Sequence, residues 1–229
     1  MTERLADISA RIDNVKQLDS VVTAMRGIAA SRAQQSRNLL TGIAAYGELI
    51  AIAIGEALNL PASRMQSLDR PADGHELIIF CAEQVFTGGL SDRMLEAAKP
   101  MEPDTQLIVV GSRGGAIASE RGFAVSRTIA MAAQIGAVPD VANLIADTLY
   151  GRIMAGTITR VDILHPRLDG GHGLRIERAA LFPIEVEKLR RPIAERPPLV
   201  TLKPATLIER LAAEYVYARL CEAAMLSFV

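Results

Sequence analysis

Apolar residues in the first 60 positions recur at the spacing of one long helix with a single buried edge. The steps between them average about 3.5 residues, which keeps one seam facing a partner helix. The seam consists of Ile8, Ile12, Val15, Leu18, Val22, Met25 and Ala29, and resumes at Leu39, Ile43, Tyr46, Ile50, Ala53 and Ala57. No proline interrupts it before Pro61, so the sequence predicts a rod of roughly 80 Å that lies against a second helix.

Short apolar runs alternate with short helical stretches in the middle of the chain. The predicted strands are 77–82, 107–110, 123–131, 157–164 and 174–182, and a helix is predicted over 139–154. The first two runs are continuously apolar, which is typical of strands buried on both faces of a parallel sheet. The last two strands read as a hairpin. This alternation predicts an open, largely parallel, Rossmann-like α/β domain.

The pattern divides the chain into three segments. Residues 1–60 form an N-terminal coiled-coil helix, 75–190 the α/β domain, and 204–229 a C-terminal coiled-coil helix that begins near Pro204. The two flanking helices are natural partners for each other. The last one has no Gly, Asn or Pro stop signal at Val229, so we expect it to be incomplete.

Composition narrows the class of protein. The formal net charge is −1, so no net basic surface recruits nucleic acid. Cys81 and Cys221 lie far apart and give neither a disulfide framework nor metal-ligand spacing. The N-terminus is not a signal peptide, and no apolar run approaches the roughly twenty residues that span a bilayer. We therefore expect a cytoplasmic protein without direct membrane insertion.

Two features could carry chemistry. Gly111-Ser-Arg-Gly-Gly115 follows a strand and opens a helix, but its spacing matches no phosphate-binding fingerprint, which favours a tight turn. The three histidines, His75, His165 and His172, form no arrangement with a nucleophile. We predict no catalytic, cofactor-binding or metal-binding residues. A small nucleotide-dependent enzyme that uses the glycine turn and a freestanding coiled-coil tether remain as alternatives.

The charges of the first helix are one-sided. No acidic residue occurs between Asp19 and Glu48, whereas Arg26, Arg32 and Arg37 fall in that window. A solvated helix face would explain such a run, and so would a surface that meets an acidic loop of a partner. The spacing alone leaves both interpretations open.

Several motifs resemble one family when taken in order. Ile8-Ser-Ala-Arg-Ile12 and the stretch 23–32 resemble the N-terminal helix of the gamma subunit of F-type ATP synthases. Thr87-Gly-Gly-Leu-Ser91 and Val110-Gly-Ser-Arg-Gly114 resemble the turns after its first two strands, and Glu214-Tyr-Val-Tyr-Ala-Arg-Leu220 resembles the start of its C-terminal helix. Arg26-Gly27 replaces the common Glu-Met, which suggests a divergent, alternative F-type branch.

The resemblance implies a rotor shaft and no bound cofactor. In the family, the N- and C-terminal helices form an antiparallel coiled coil inside the hexamer of alpha and beta subunits, and the beta subunits carry catalysis. The α/β domain lies near the epsilon subunit and the membrane c-ring, on the cytoplasmic face of the bacterial inner membrane. The family's C-terminal helix continues for more turns, so the resemblance also implies a truncated form.

The resemblance also implies a set of contact residues. Met25 and Arg32 match family positions where the shaft runs beside acidic loops of the beta subunits. Arg26 and Arg37 extend that surface, so we expect all four residues to contact partner subunits.

Overall fold

The computed structural model describes residues 2–60, 74–84, 87–169, 173–192 and 198–228. Its helices are α1 (Thr2–Ala57), α2 (Leu90–Ala97), α3 (Ser112–Glu120), α4 (Val138–Met154), α5 (Val186–Leu189) and α6 (Pro204–Phe228). Its strands are β1 (His75–Phe80), β2 (Thr105–Val110), β3 (Val125–Ile129), β4 (Arg160–Asp169) and β5 (Gly173–Phe182). The predicted turn residue His172 lies outside the described residues.

The leading segment is one helix, as the sequence predicts, because no proline or turn signal interrupts α1 over its 56 residues. Its contacts place the residues before Leu40 in one compact unit and Leu40–Phe228 in another. The division into 1–60, 75–190 and 204–229 remains a prediction.

The five strands form one mixed sheet in the order β3-β2-β1-β4-β5. β1, β2, β3 and β4 are parallel to one another, whereas β5 pairs antiparallel with β4 and confirms the predicted hairpin. The strand bounds differ from the predictions. β3 is shorter than 123–131 because only its centre pairs with β2, and β4 begins later than 157 and runs on through the hairpin to Asp169.

Helices cover both faces of the sheet. Because side chains alternate across a strand, Leu77 and Ile79 of β1 face α2 and α3, whereas Ile78 and Phe80 face α4 and α6. All four are fully buried. This three-layer arrangement explains why the central strands are continuously apolar.

α6 packs against both the sheet and α1. Leu220, Ala223 and Ala224 are fully buried in the same apolar cluster as the β1 side chains of that face. On another side of α6, Tyr46 of α1 donates a hydrogen bond to Glu214, with the oxygens 2.7 Å apart. Ala57 and Leu60 pack on Ile208, and Gly47 lies beside Ala218, so α1 residues after Leu40 run antiparallel to α6, as expected.

Glycines in α1 give a first stability test. An added Cβ at Gly42 meets no atom within 4 Å and lies at a cavity of about 200 Å³ lined by α1, α4 and α6. We predict that Gly42→Ala raises the free energy of unfolding by about 0.5–1 kcal/mol, because alanine loses less backbone entropy in a helix. Urea denaturation of the chain measures this.

The matched control is Gly55→Ala in the same helix. There the new Cβ would overlap the carbonyl oxygen of Leu189 and come within 2.8 Å of Arg191 Cγ. This variant should unfold at lower urea than the unchanged chain. Equal gains from both substitutions would contradict the packing described here.

Candidate functional site

The four residues predicted to contact partners lie on the exposed surface of α1. Met25 is 51% exposed, and Arg26, Arg32 and Arg37 are also exposed. At about 100° per residue, all four fall within an arc of roughly 140° and along about 18 Å of helix. The structure therefore brings the four positions together on one surface, which we call the basic window.

Two ion pairs within the helix precede the basic window, whereas its first two arginines form none among the described residues. Arg11 lies 3.6 Å from Asp7, and Lys16 lies 3.6 Å from Asp13. Within the described residues, Arg26 and Arg32 form no ion pair with an acidic side chain. Exposed guanidinium groups without an internal counter-charge are suited to meet an acidic surface of another molecule.

An exposed apolar stripe leads into the basic window. Its members are Ile8, Ile12, Val15, Leu18, Val22 and Met25, each between 48% and 64% exposed. Isolated exposed apolar side chains are ordinary, but a continuous stripe at helical spacing marks a surface that another molecule covers. The stripe and the basic window together define the candidate functional site.

α1 is also more apolar than the sequence pattern suggested. Within 6–57 it contains an 18-residue window with a mean hydropathy of 1.5, and among the described residues it is the one helix long and apolar enough to cross a membrane. The expectation that no such run exists is therefore wrong. Length and composition are weak grounds for a membrane span, since a helix that packs against a partner meets the same criterion.

A carboxylate of the chain itself already occupies the glycine turn at the carboxyl edge of the sheet. Glu83, three residues beyond β1, accepts hydrogen bonds through Oε2 from the backbone N–H of Ser112 and of Met131, each at 2.8 Å. Ser112 is the first residue of α3, so the carboxylate lies at the helix terminus where a nucleotide phosphate would bind. A second anion at this terminus would meet like charge.

The glycines of this turn serve close packing. A Cβ on Gly114 would lie 2.8 Å from Cys81 Sγ, and one on Gly115 would lie 2.6 Å from Thr128 Cγ2. Both glycines let α3 approach the strands of the sheet closely. The structure thus supports a tight strand-to-helix turn and gives no support to the nucleotide-dependent enzyme.

Buried polar groups at the opposite edge of the sheet form a structural network. His75 Nε2 lies 3.1 Å from Asp162 Oδ2, and Thr105 Oγ1 lies 3.0 Å from His75 Nδ1. Arg160 and Arg178 also donate to Asp162, at 3.0 and 2.9 Å. These partners join the ends of β1, β2, β4 and β5. The Thr105 hydroxyl, His75 and Asp162 follow one another in hydrogen-bonding order, but all three residues are buried and Asp162 also accepts from both arginines, so the network holds the strands together. Among the described residues, no three side chains are placed to hold a metal ion.

A 56-residue helix with a long exposed apolar stripe, in one chain with a five-stranded α/β sheet domain, is typical of a structural subunit of a larger assembly. A family model described as ATP synthase matches residues 4–229, so the chain belongs to the ATP synthase gamma-subunit family. Its function is that of the central shaft of an F-type ATP synthase, a membrane-associated complex, and it is a non-catalytic subunit.

Two known proteins illustrate the similarity. The ATP synthase gamma chain of Synechocystis sp. is 22% identical over 221 residues, which cover 92% of this chain and 70% of that one. A chain in the cryo-EM structure of the Tetrahymena thermophila mitochondrial ATP synthase central stalk and c-ring superposes with a TM-score of 0.54 at 11% identity. The match covers 84% of this chain and 92% of that chain and shows the shared fold.

Sequence reasoning missed Glu83 and the pairing of His75 with Asp162. The one available signal for Glu83 was its place directly after a buried strand, where neighbouring strand ends converge. The other pair is separated by 87 residues and left no local signal. The contact roles of Met25, Arg26, Arg32 and Arg37 stay a prediction.

Glu83 provides a test of the closed turn. We predict that Glu83→Ala lowers the free energy of unfolding by about 1–3 kcal/mol, because two backbone N–H groups lose their acceptor. Glu83→Gln keeps a carbonyl acceptor and should lose less. Urea denaturation at pH 7 compares the two, and an unchanged midpoint in Glu83→Ala would contradict the role assigned to this carboxylate.

The same carboxylate gives a pH dependence. Partial burial raises the pKa of Glu83, but the hydrogen bonds from Ser112 and Met131 outweigh it and hold the pKa below the ordinary value of 4.5. A depressed pKa stabilises the fold at higher pH, and this contribution is lost as the pH falls from about 4.5 through the folded-state pKa. Denaturation across this range should show a smaller loss in Glu83→Gln than in the unchanged chain.

Proposed function

We propose that this chain is the rotor shaft that couples ion flow through a membrane c-ring to ATP synthesis or hydrolysis in a hexamer of alpha and beta subunits. The observation that carries the proposal is the exposed stripe of α1 leading into the basic window. Three exposed arginines, with no acidic residue between Asp19 and Glu48, form a surface suited to acidic loops of a surrounding head.

The mechanism is steric and electrostatic. We assign catalysis to the beta subunits, as the family membership of residues 4–229 implies. The hydroxyl–imidazole–carboxylate series of Thr105, His75 and Asp162 in this chain is buried. As the helix turns, its one-sided charge presents a different surface to each surrounding subunit. Differential contact with two conformations of a partner shifts the balance between them, with no bond chemistry in the shaft itself.

The assembly around the shaft follows the family. We assign the epsilon subunit and the c-ring as neighbours of the α/β domain, and the cytoplasmic face of a bacterial inner membrane as the location of the complex. The family membership of residues 4–229 and the fold shared with a central-stalk chain support this assignment.

The basic window gives the decisive test. We predict that Arg32→Glu combined with Arg37→Glu lowers the number of ions pumped per ATP hydrolysed, because attraction to acidic loops becomes repulsion. Loss of exposed charge contacts should weaken the shaft's hold on the head by about 1–2 kcal/mol, or roughly five- to thirty-fold. ATP-driven pumping and hydrolysis are measured together in vesicles that contain the assembled complex.

Lys16→Glu is the matched control. It reverses a charge on the same helix outside the basic window, where Asp13 already lies 3.6 Å from the lysine nitrogen. It should leave the coupling ratio near that of the unchanged complex. Unchanged coupling in the double arginine variant would remove the proposed role of the basic window. Failure of the chain to purify with alpha and beta subunits would favour the coiled-coil tether.

A further inference from the structure

The end of α1 lies directly against the chain segment that leaves the sheet domain. Gly55 packs so closely on the carbonyl of Leu189 that a Cβ at position 55 would overlap this oxygen. One turn further along, Asn59 Nδ2 donates a hydrogen bond to the carbonyl oxygen of Arg191 at 3.0 Å. We call the contact of Gly55 and Asn59 with Leu189–Arg191 the joint.

Two segments far apart in sequence form both contacts. Gly55 lies in the last turn of α1, and Asn59 lies in the turn after Ala57, where its backbone N–H donates to the Glu56 carbonyl oxygen at 3.1 Å. Arg190 has φ −59° and ψ 132°, which is extended backbone. Two residues of such backbone span about 6 Å. The carbonyl of Leu189 thus meets Gly55, and the carbonyl of Arg191 meets Asn59.

Apolar contacts support the joint from α6. Ala57 and Leu60 are buried against Ile208 in the first turns of that helix, and Leu207 and Leu211 pack around them. The α1 end is therefore held by the chain that leaves β5 on one side and by the start of α6 on another. Backbone contact at a glycine leaves no flexible side chain between the two segments, so little relative movement is absorbed there.

We propose that the joint transmits torque between α1 and the α/β domain, with Gly55 and Asn59 as its positioning residues. This inference rests on the proposed function as a rotor shaft. Twisting of one segment against the other stretches the Asn59 hydrogen bond and presses the α1 backbone on the Leu189 carbonyl. Coupling of this kind travels through directly packed elements.

The test measures the torsional stiffness of the shaft in the assembled complex. The catalytic head is fixed to a surface, a bead is attached to the α/β domain through Glu120→Cys, and the angular fluctuations of the bead give the stiffness. If the joint and the α6 contact share the torque equally, Asn59→Ala and Gly55→Ala should each lower the stiffness about twofold. Asn59→Ala adds no volume, so it keeps the test valid if Gly55→Ala fails to assemble.

Gly47→Ala is the matched control, since its new Cβ would lie at an ordinary 3.7 Å from Ala218 Cβ. The stiffness of this variant should equal that of the unchanged complex. Unchanged stiffness in Asn59→Ala, or an equal loss in Gly47→Ala, would overturn the inference. A general loss of stability would lower the melting temperature without this selective change in stiffness.

Hydrogen exchange separates failure of the joint from failure of the proposed function. In the full isolated chain, the amides of 57–60 and of 188–191 should gain exchange together in Asn59→Ala and not in Gly47→Ala. If the complex with the unchanged chain shows no rotation, the rotor function fails, whereas linked exchange would still support the joint. Independent exchange of the two segments would overturn the joint.

Discussion

The burial of α6 on more than one side is the constraint on which the rest of the structure depends. Its last turns fill the face of the sheet beside Ile78 and Phe80, while Glu214 and Ala218 meet α1. A purely amphipathic helix could not replace α6, because α6 makes contacts on more than one side. Small residues such as Ala223 and Ala224 also set how closely it approaches the strands. Through this helix, the domain and the later part of α1 share one apolar core.

The polar groups of the domain and those of the basic window differ in role because the first are buried and the second are exposed. The buried carboxylate Asp162 of the domain is paired with His75, Arg160 and Arg178 within the same fold. The arginines of the basic window lie on exposed helix surface. Polar groups that are satisfied internally stabilise one structure, whereas exposed charges of one sign influence whatever approaches them. A shaft subunit needs both properties, in different regions.

Local sequence patterns predicted where the helices and strands lie better than they predicted how these elements pack. An uninterrupted 3.5-residue period predicted α1, and continuous apolar runs predicted β1 and β2, because both signals depend on neighbours along the chain. The role of α6 in the sheet core was not predicted, since the same apolar residues suit a coiled-coil seam and a sheet face. The contacts of Glu83 and of the joint at Gly55 involve residues distant in sequence, and the hydrophobic period of a segment does not depend on such contacts.

Glu83 distinguishes this domain from doubly wound domains that bind a phosphate at the same turn. In a doubly wound sheet, a phosphate usually binds at the strand-to-helix turn at the carboxyl edge. Whether that site is occupied then depends on the concentration of the ligand. Here the chain provides its own permanent counter-ion at that position. Since the N–H groups of Ser112 and Met131 already have an acceptor within the chain, the order of this edge of the sheet requires no bound nucleotide.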